Sequence, residues 1–187
     1  WKNNCEEERL LGVSLTGIMD NPLLNGSGGV AVDDSSLADR LTSLRKEAVK
    51  TNKSLAKELG IPQSAAVTCV KPSGTVSQLV DSASGIHTRH SPYYIRTVRA
   101  STRDPLCKMM IDKGFPCEPD VMKADSTMVF SFPVKSPENS VFRKDKTAIE
   151  QLELWLTYQL HWCEHKPSVT ISVQEDEWVS VGAWVYE

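Results

Sequence analysis

Apolar residues recur at helical spacing over one long stretch of this chain and alternate over several short ones. Those two periods set the expected elements. Between Ser35 and Leu59, the residues Leu37, Leu41, Leu44, Ala48, Leu55 and Leu59 share a stripe while Arg, Lys and Glu fill the other faces, which predicts an amphipathic helix. Asp34 or Ser35 is placed to cap its start, and Gly60 with Pro62 to end it. Ala65 to Val70 is a short apolar, partly β-branched run, expected as a buried strand that leads directly into Lys71-Pro72-Ser73-Gly74-Thr75. Asp104 to Lys113 predicts a short helix closed by Gly114 and Pro116. Ser126 to Lys135 alternates, with Met128, Phe130, Phe132 and Val134 on one face of a strand. Asp145 is expected to cap a helix reaching about Cys163 and burying Ile149, Leu152, Leu156 and Leu160. Ser168 to Val173 predicts another strand, and Glu175 onward a helix with Trp178, Val181 and Val185 in phase.

The opening is less regular. Glu6 to Asp20 starts helix-like, but Gly12 and Gly17 interrupt it and leave its type open, with Glu6-Glu7-Glu8 expected at a helix start where the dipole favours carboxylates. Asn21 to Gly29 is turn-rich. Strand and helix alternate without a repeat, which predicts an α/β architecture with at least partly parallel strands. The 187 residues suffice for one sizeable domain or a large piece of a bigger one. The chain opens on Trp1 and ends within an apolar pattern, so one partial domain over 1–187, cut at both ends, is expected.

Composition excludes several classes. With 40% hydrophobic and 24% charged residues the chain is an ordinary globular one. No apolar run approaches the ~20 residues a bilayer span needs, so no membrane is expected as partner. A net charge of −3 gives no reason to expect nucleic acid. The five cysteines, at 5, 69, 107, 117 and 163, are odd in number and form no C-x-x-C pair, which fits free thiols in a reducing cytoplasm rather than a disulfide framework or a zinc site.

Two segments carry candidate chemistry. Lys71 to Ser77 follows a predicted strand: Pro72 sets the chain direction, Gly74 lets the backbone approach a ligand, and Ser73, Thr75 and Ser77 bring hydroxyls. Successive backbone N–H groups there can form a concave anion nest. No Walker loop is present, and a Pro-Gly turn with solvated hydroxyls has the same composition. Ser84 to Arg99 gathers His87, Arg89, His90, Arg96 and Arg99 around Tyr93 and Tyr94. It can neutralise a polyphosphate or line a cleft, or form a surface loop whose arginines meet carboxylates. Ser91-Pro92 argues against the helix that His87 and His90 would need to share a metal, and no metal site is expected.

The run Cys69-Val-Lys-Pro-Ser-Gly-Thr-Val-Ser-Gln-Leu-Val-Asp-Ser-Ala-Ser-Gly-Ile-His-Thr-Arg-His-Ser-Pro-Tyr-Tyr-Ile-Arg resembles a segment of adenosylcobalamin-dependent (class II) ribonucleotide reductases, in the form seen in the monomeric ribonucleoside-triphosphate type. Arg9-Leu-Leu-Gly-Val-Ser-Leu-Thr-Gly and Glu177 to Glu187 are similar to other stretches of that family. The resemblance implies the later part of a ten-stranded α/β barrel. It implies adenosylcobalamin as cofactor, a ribonucleoside triphosphate as substrate, a thioredoxin-type reductant, and a monomeric, cytoplasmic, allosterically regulated enzyme. It makes Ser73, Gly74, Thr75 and Ser77 substrate-phosphate contacts and puts His87, Arg89 and His90 beside the active site.

The same resemblance implies a cysteine thiyl radical within an Asn-Pro-Cys-x-Glu motif and a separate reducing cysteine pair. Neither motif occurs here. Asn3-Asn4-Cys5-Glu6-Glu7 mimics the first, but Asn4 stands where proline is expected. No catalytic residue is therefore expected in this chain, and most of its cysteines are expected as small buried hydrophobes. The rival expectation is a stand-alone, non-catalytic nucleotide- or phosphate-binding module.

Overall fold

Ser36 and Asp39 hold each other in a reciprocal cap, the side chain of each accepting from the other's backbone N–H, and from that cap a 23-residue helix α2 runs Leu37–Leu59. The structure is a computed structural model that describes residues 1–27 and 36–187. The caps expected at Asp34 or Ser35, and the end of the turn-rich loop at Gly28-Gly29, lie outside the described residues. Gly60 ends α2 in the left-handed conformation at φ 67°, as its composition predicts.

The described chain divides into two compact units, residues 1–89 with 138–187 and residues 90–137. In the first, α1 (Lys2–Glu8) precedes a short strand β1 (Val13–Ser14), which pairs in parallel with β2 (Thr68–Cys69). Glu6 to Glu8 therefore close a helix instead of starting one, at the end where its dipole disfavours carboxylates. Val67 and Thr68 donate their N–H groups to the Glu164 carboxylate at 2.7 and 3.2 Å, which fastens β2 to the residues that follow α5 (Ala148–His161). The cap of α5 is Thr147 with Glu150, two residues beyond the expected Asp145.

A core of Ile18, Met19, Leu41, Val70, Ile86, Leu154, Tyr158 and Trp162 lies between these elements. The buried stripe of α5 is Ala148, Gln151, Leu154 and Tyr158, while the expected Leu156 and Leu160 are exposed. The helix is apolar on more than one side, so periodicity alone does not choose its inward face. Along α2 only Leu41 and Ala56 are buried; Leu44, Leu55 and Leu59 instead line an open apolar groove of about 900 Å³ with Leu10, Leu11 and Ile61.

The strand expected at Ser168 to Val173 does not form. A parallel neighbour of β2 would donate at every second residue, whereas here Glu164 donates to Thr68 and Ser168 to Val70, four residues apart. A 3-10 turn at Glu175–Glu177 then leads into α6 (Trp178–Tyr186), where helix was expected.

The second unit is an antiparallel sheet, order β3-β5-β4, formed by β3 (Tyr93–Ser101), β4 (Cys117–Pro119) and β5 (Thr127–Lys135), with helix α4 (Pro105–Asp112) between β3 and β4. Its register runs from Tyr93 opposite Lys135 to Ser101 opposite Thr127. β5 and α4 lie where the sequence puts them, and Asp104 caps α4 by accepting from Leu106 N–H at 2.8 Å. The sequence reading missed β3 and β4: Arg96 and Arg99 mark β3 as a charge cluster, and β4 is three residues long. Arg99 Nε donates to Asp120 at 2.6 Å, which ties β3 to the turn after β4.

Candidate functional site

The loop Lys71 to Thr75 leaves the end of β2, and a single helical turn, α3 (Val76–Leu79), follows it. Parallel pairing puts Ser14 beside Cys69, so the chain that continues from β1 runs alongside this loop. Ser14 Oγ accepts from Lys71 N–H at 3.1 Å, and Thr16 Oγ1 shares a hydrogen bond with Ser73 Oγ at 2.8 Å. A third strand of chain, Ser82 to His87, completes the cluster. Gly85 N–H donates to both Thr16 Oγ1 at 2.9 Å and Ser73 Oγ at 3.1 Å, and Thr16 Oγ1 donates to Ala83 O at 3.1 Å.

That proton count assigns roles. With Thr16 donating to Ala83, the Ser73 hydroxyl gives its one proton to Thr16, accepts from Gly85 and lies 3.5 Å from Ser84 Oγ, so it keeps no proton for a ligand. Ser77 is buried and its hydroxyl donates to Ser73 O, closing the turn. The loop's outward face is therefore made by Gly74, Thr75 and Val76, all exposed. Ser77 N–H returns to Ser73 O and Gln78 N–H to Thr75 O, while the N–H groups of Thr75 and Val76 meet no backbone acceptor among the described residues. A Cβ added to Gly74 would touch nothing within 4 Å. Gly85 is the reverse case: its φ of +49° suits glycine, and a Cβ there would stand 3.2 Å from Val70.

The histidine and arginine residues separate. Arg89 is 4% exposed, and its guanidinium is turned inward onto Asp20, with Nε to Oδ1 at 3.0 Å and Nη2 to Oδ2 at 2.8 Å. Asp20 also accepts from Ala83 N–H at 2.7 Å and Ser140 Oγ at 2.8 Å. Arg89, expected beside the active site or on a surface loop where it meets a carboxylate, is a buried clamp on Asp20, which in turn holds the Ala83–Gly85 segment of the site. His87 is half-buried, and that burial pushes its imidazole below the ordinary histidine value. His90 belongs to the other unit, exposed, with its ring edge-on to Tyr94 at 6.1 Å. Thr16, Ala83, Gly85 and Asp20 were not singled out in the sequence because Ala83 and Gly85 act through backbone groups, while Thr16 and Asp20 lie far before Ser73 along the chain.

Burial alone would raise the Asp20 carboxyl, but the bonds from Arg89, Ala83 and Ser140 outweigh it and hold the group below the usual carboxylate range. Between that lowered value and the unfolded value of about 3.9, the unfolded chain binds the extra proton, so stability falls as pH drops through this window. Urea unfolding below about pH 4 should show this loss, and Asp20→Asn should flatten it. An equally steep acid limb in Asp20→Asn would remove Asp20 as its source.

Among the described residues no three His, Cys, Asp or Glu side chains converge as a metal site, and no helix is long and apolar enough to cross a membrane.

No family model matches the chain. A solved B-12 dependent (class II) ribonucleotide reductase superposes on 98% of it at TM-score 0.79 and 26% identity, using 29% of that structure's chain. This mixed helix-and-strand segment, with its loop at the end of a parallel strand pair, is a piece of the class II ribonucleotide reductase fold. Among curated proteins, the adenosylcobalamin-dependent ribonucleoside-triphosphate reductase of Lactobacillus acidophilus is 30% identical over 92% of the chain and 26% of its own length. The enzyme of the same name from Euglena gracilis is 35% identical over 63% of the chain and 16% of its own length. The chain belongs to this reductase family, and it spans about a quarter of the length of the curated relatives it matches.

Proposed function

We propose that this chain is the substrate-phosphate-holding part of an adenosylcobalamin-dependent ribonucleoside-triphosphate reductase, which converts ribonucleoside triphosphates to 2′-deoxyribonucleotides. The observation that carries this reading is the outward face of the loop: exposed amides of Thr75 and Val76 and the Thr75 hydroxyl beside Gly74, held by the Thr16–Ser73–Gly85 bonds. Donors fixed before the anion arrives need no reorganisation to receive it, which is how a backbone nest favours phosphate. Ser73 and Ser77 serve by fixing the turn, Gly74 by leaving room, and Thr75 by direct contact.

The cofactor would supply the radical that starts the reaction. The thiyl cysteine and the cysteine pair reduced by a thioredoxin-type partner have no matching motif among these residues. The segment's share of the work is therefore binding and orientation, in an enzyme that acts as a monomer on cytoplasmic nucleotides.

The test is a titration of the chain with a ribonucleoside triphosphate, followed by the backbone amide resonances of Ser73 to Val76 and Gly85. These should shift on binding, and Ser73→Ala with Thr75→Ala should abolish the shift. The bond lost with the Thr75 hydroxyl to a charged phosphate is worth about 1.5–3 kcal/mol, and Ser73→Ala loosens the turn that presents it. Resonances that stay in place at saturating nucleotide would overturn the assignment.

A further inference from the structure

Helix α2 carries a feature unrelated to the loop. Arg45, Lys46, Lys50 and Lys53 fall at helical spacing on one face, opposite His161 at the end of α5 and Glu164 just beyond it, and the two sides wall a groove of about 700 Å³. Its lining carries four permanent cations and one carboxylate, in a chain whose net charge is −3. The single carboxylate is already engaged: Glu164 accepts from Val67 and Thr68 and lies 3.5 Å from Arg45. Lys50 pairs with Glu47 at 3.3 Å. Lys46 and Lys53 have no ion pair among the described residues.

Lysines at i,i+4 (46 and 50) and i,i+3 (50 and 53) repel one another and weaken a helix. A solvated helix face normally intersperses both signs, so this accumulation opposes stability and calls for a compensating anion. The ring of His161 is oriented by a 3.1 Å hydrogen bond between its Nδ1 and Thr42 Oγ1. From Arg45 to Lys53 the cations extend over about 12 Å of helix. That is longer than one phosphate and suits several linked in a row.

We propose that this groove binds a linear polyphosphate group, free or carried on a nucleoside, with Lys46 and Lys53 as its principal cations. The groove is separate from the Ser73–Val76 loop, and its binding does not depend on what that loop holds.

The test is calorimetric titration of the full chain with inorganic triphosphate at about 0.01 M salt, where screening is weak. Lys46→Ala with Lys53→Ala should weaken binding about ten-fold or more, while melting at or above the wild-type temperature because the repulsion is relieved. Lys46→Arg with Lys53→Arg should retain binding, and Ser73→Ala with Thr75→Ala should leave this component unchanged. A nucleoside triphosphate should bind the groove about as tightly as the inorganic form. The proposal fails if the double alanine variant binds like wild type, if binding is lost instead in the Ser73/Thr75 variant, or if only the nucleoside form binds.

Discussion

Replacing Arg89 with alanine is expected to destabilise the first unit by about 3–5 kcal/mol, measured as the loss of unfolding free energy in urea. The reason is the asymmetry of a buried ion pair. Arg89 and Asp20 side chains are 3% and 14% exposed and meet through two parallel bonds, so removing the cation strands a carboxylate away from water. Asp20 retains its bonds from Ala83 N–H and Ser140, which softens the penalty and places the outcome at the lower end of that range. Arg89 Nη2 also donates to Asp81 O at 2.8 Å, and that carbonyl would lose its donor. Arg89→Lys keeps the charge but cannot reproduce the two-pronged geometry, so it should recover part of the loss. A change below about 1 kcal/mol in Arg89→Ala would mean the pair acts as a solvated surface bridge.

Trp162→Ala is expected to cost about 3–5 kcal/mol in the same measurement, a range set by large aromatic deletions in cores. Trp162 is 3% exposed and packs in the cluster with Ile18, Leu154 and Tyr158. It also locks β2 by two polar contacts: its indole N–H donates to Cys69 O at 2.8 Å, and its carbonyl accepts from the Thr68 hydroxyl at 2.5 Å. Trp162→Phe separates the contributions. It keeps most of the ring but leaves Cys69 O without its donor, for about 1–3 kcal/mol. Ser73 stands four residues beyond Cys69, so Trp162→Phe should also broaden the amide resonances of its loop. A fully wild-type loop spectrum in a destabilised Trp162→Phe would show that the loop is held by Thr16 and Gly85 alone.

Much of the scaffold was legible because it depends on local physics. The body and C-terminal stop of α2, the cap and span of α4, the limits of β5 and the helix after Glu175 all follow from periodicity, Gly and Pro placement and capping chemistry. The misreadings are of two kinds. β3 was missed because Arg96 and Arg99 were read as part of a basic cluster, although Tyr93, Tyr94, Ile95, Thr97 and Val98 are β-prone and pairing with β5 supplies its backbone bonds. The Ser168 to Val173 run has strand composition but lacks a ladder: among the described residues only Glu164 and Ser168 donate to β2 and Val70, four residues apart, so no regular pairing is set up. Strand formation needs a partner, and the partner is not in the local sequence.

The loop from Lys71 to Ser77 could be recognised on its own, since proline, glycine and hydroxyl residues after an apolar run imply a turn able to face an anion. What each member does was decided elsewhere. Ser73 spends its hydroxyl on Thr16 and Gly85, Ser77 turns inward, and Arg89 leaves the surface for Asp20. Those roles come from residues 57, 12 and 69 positions away, brought together by the parallel pairing of β1 with β2 and by the clamp at Asp20. The sequence by itself determined the elements and the residue types available for binding. Only the tertiary structure decided which hydroxyls remain free to face a ligand, because a hydrogen-bonding group is defined by its partners, and here those partners are far away in the chain.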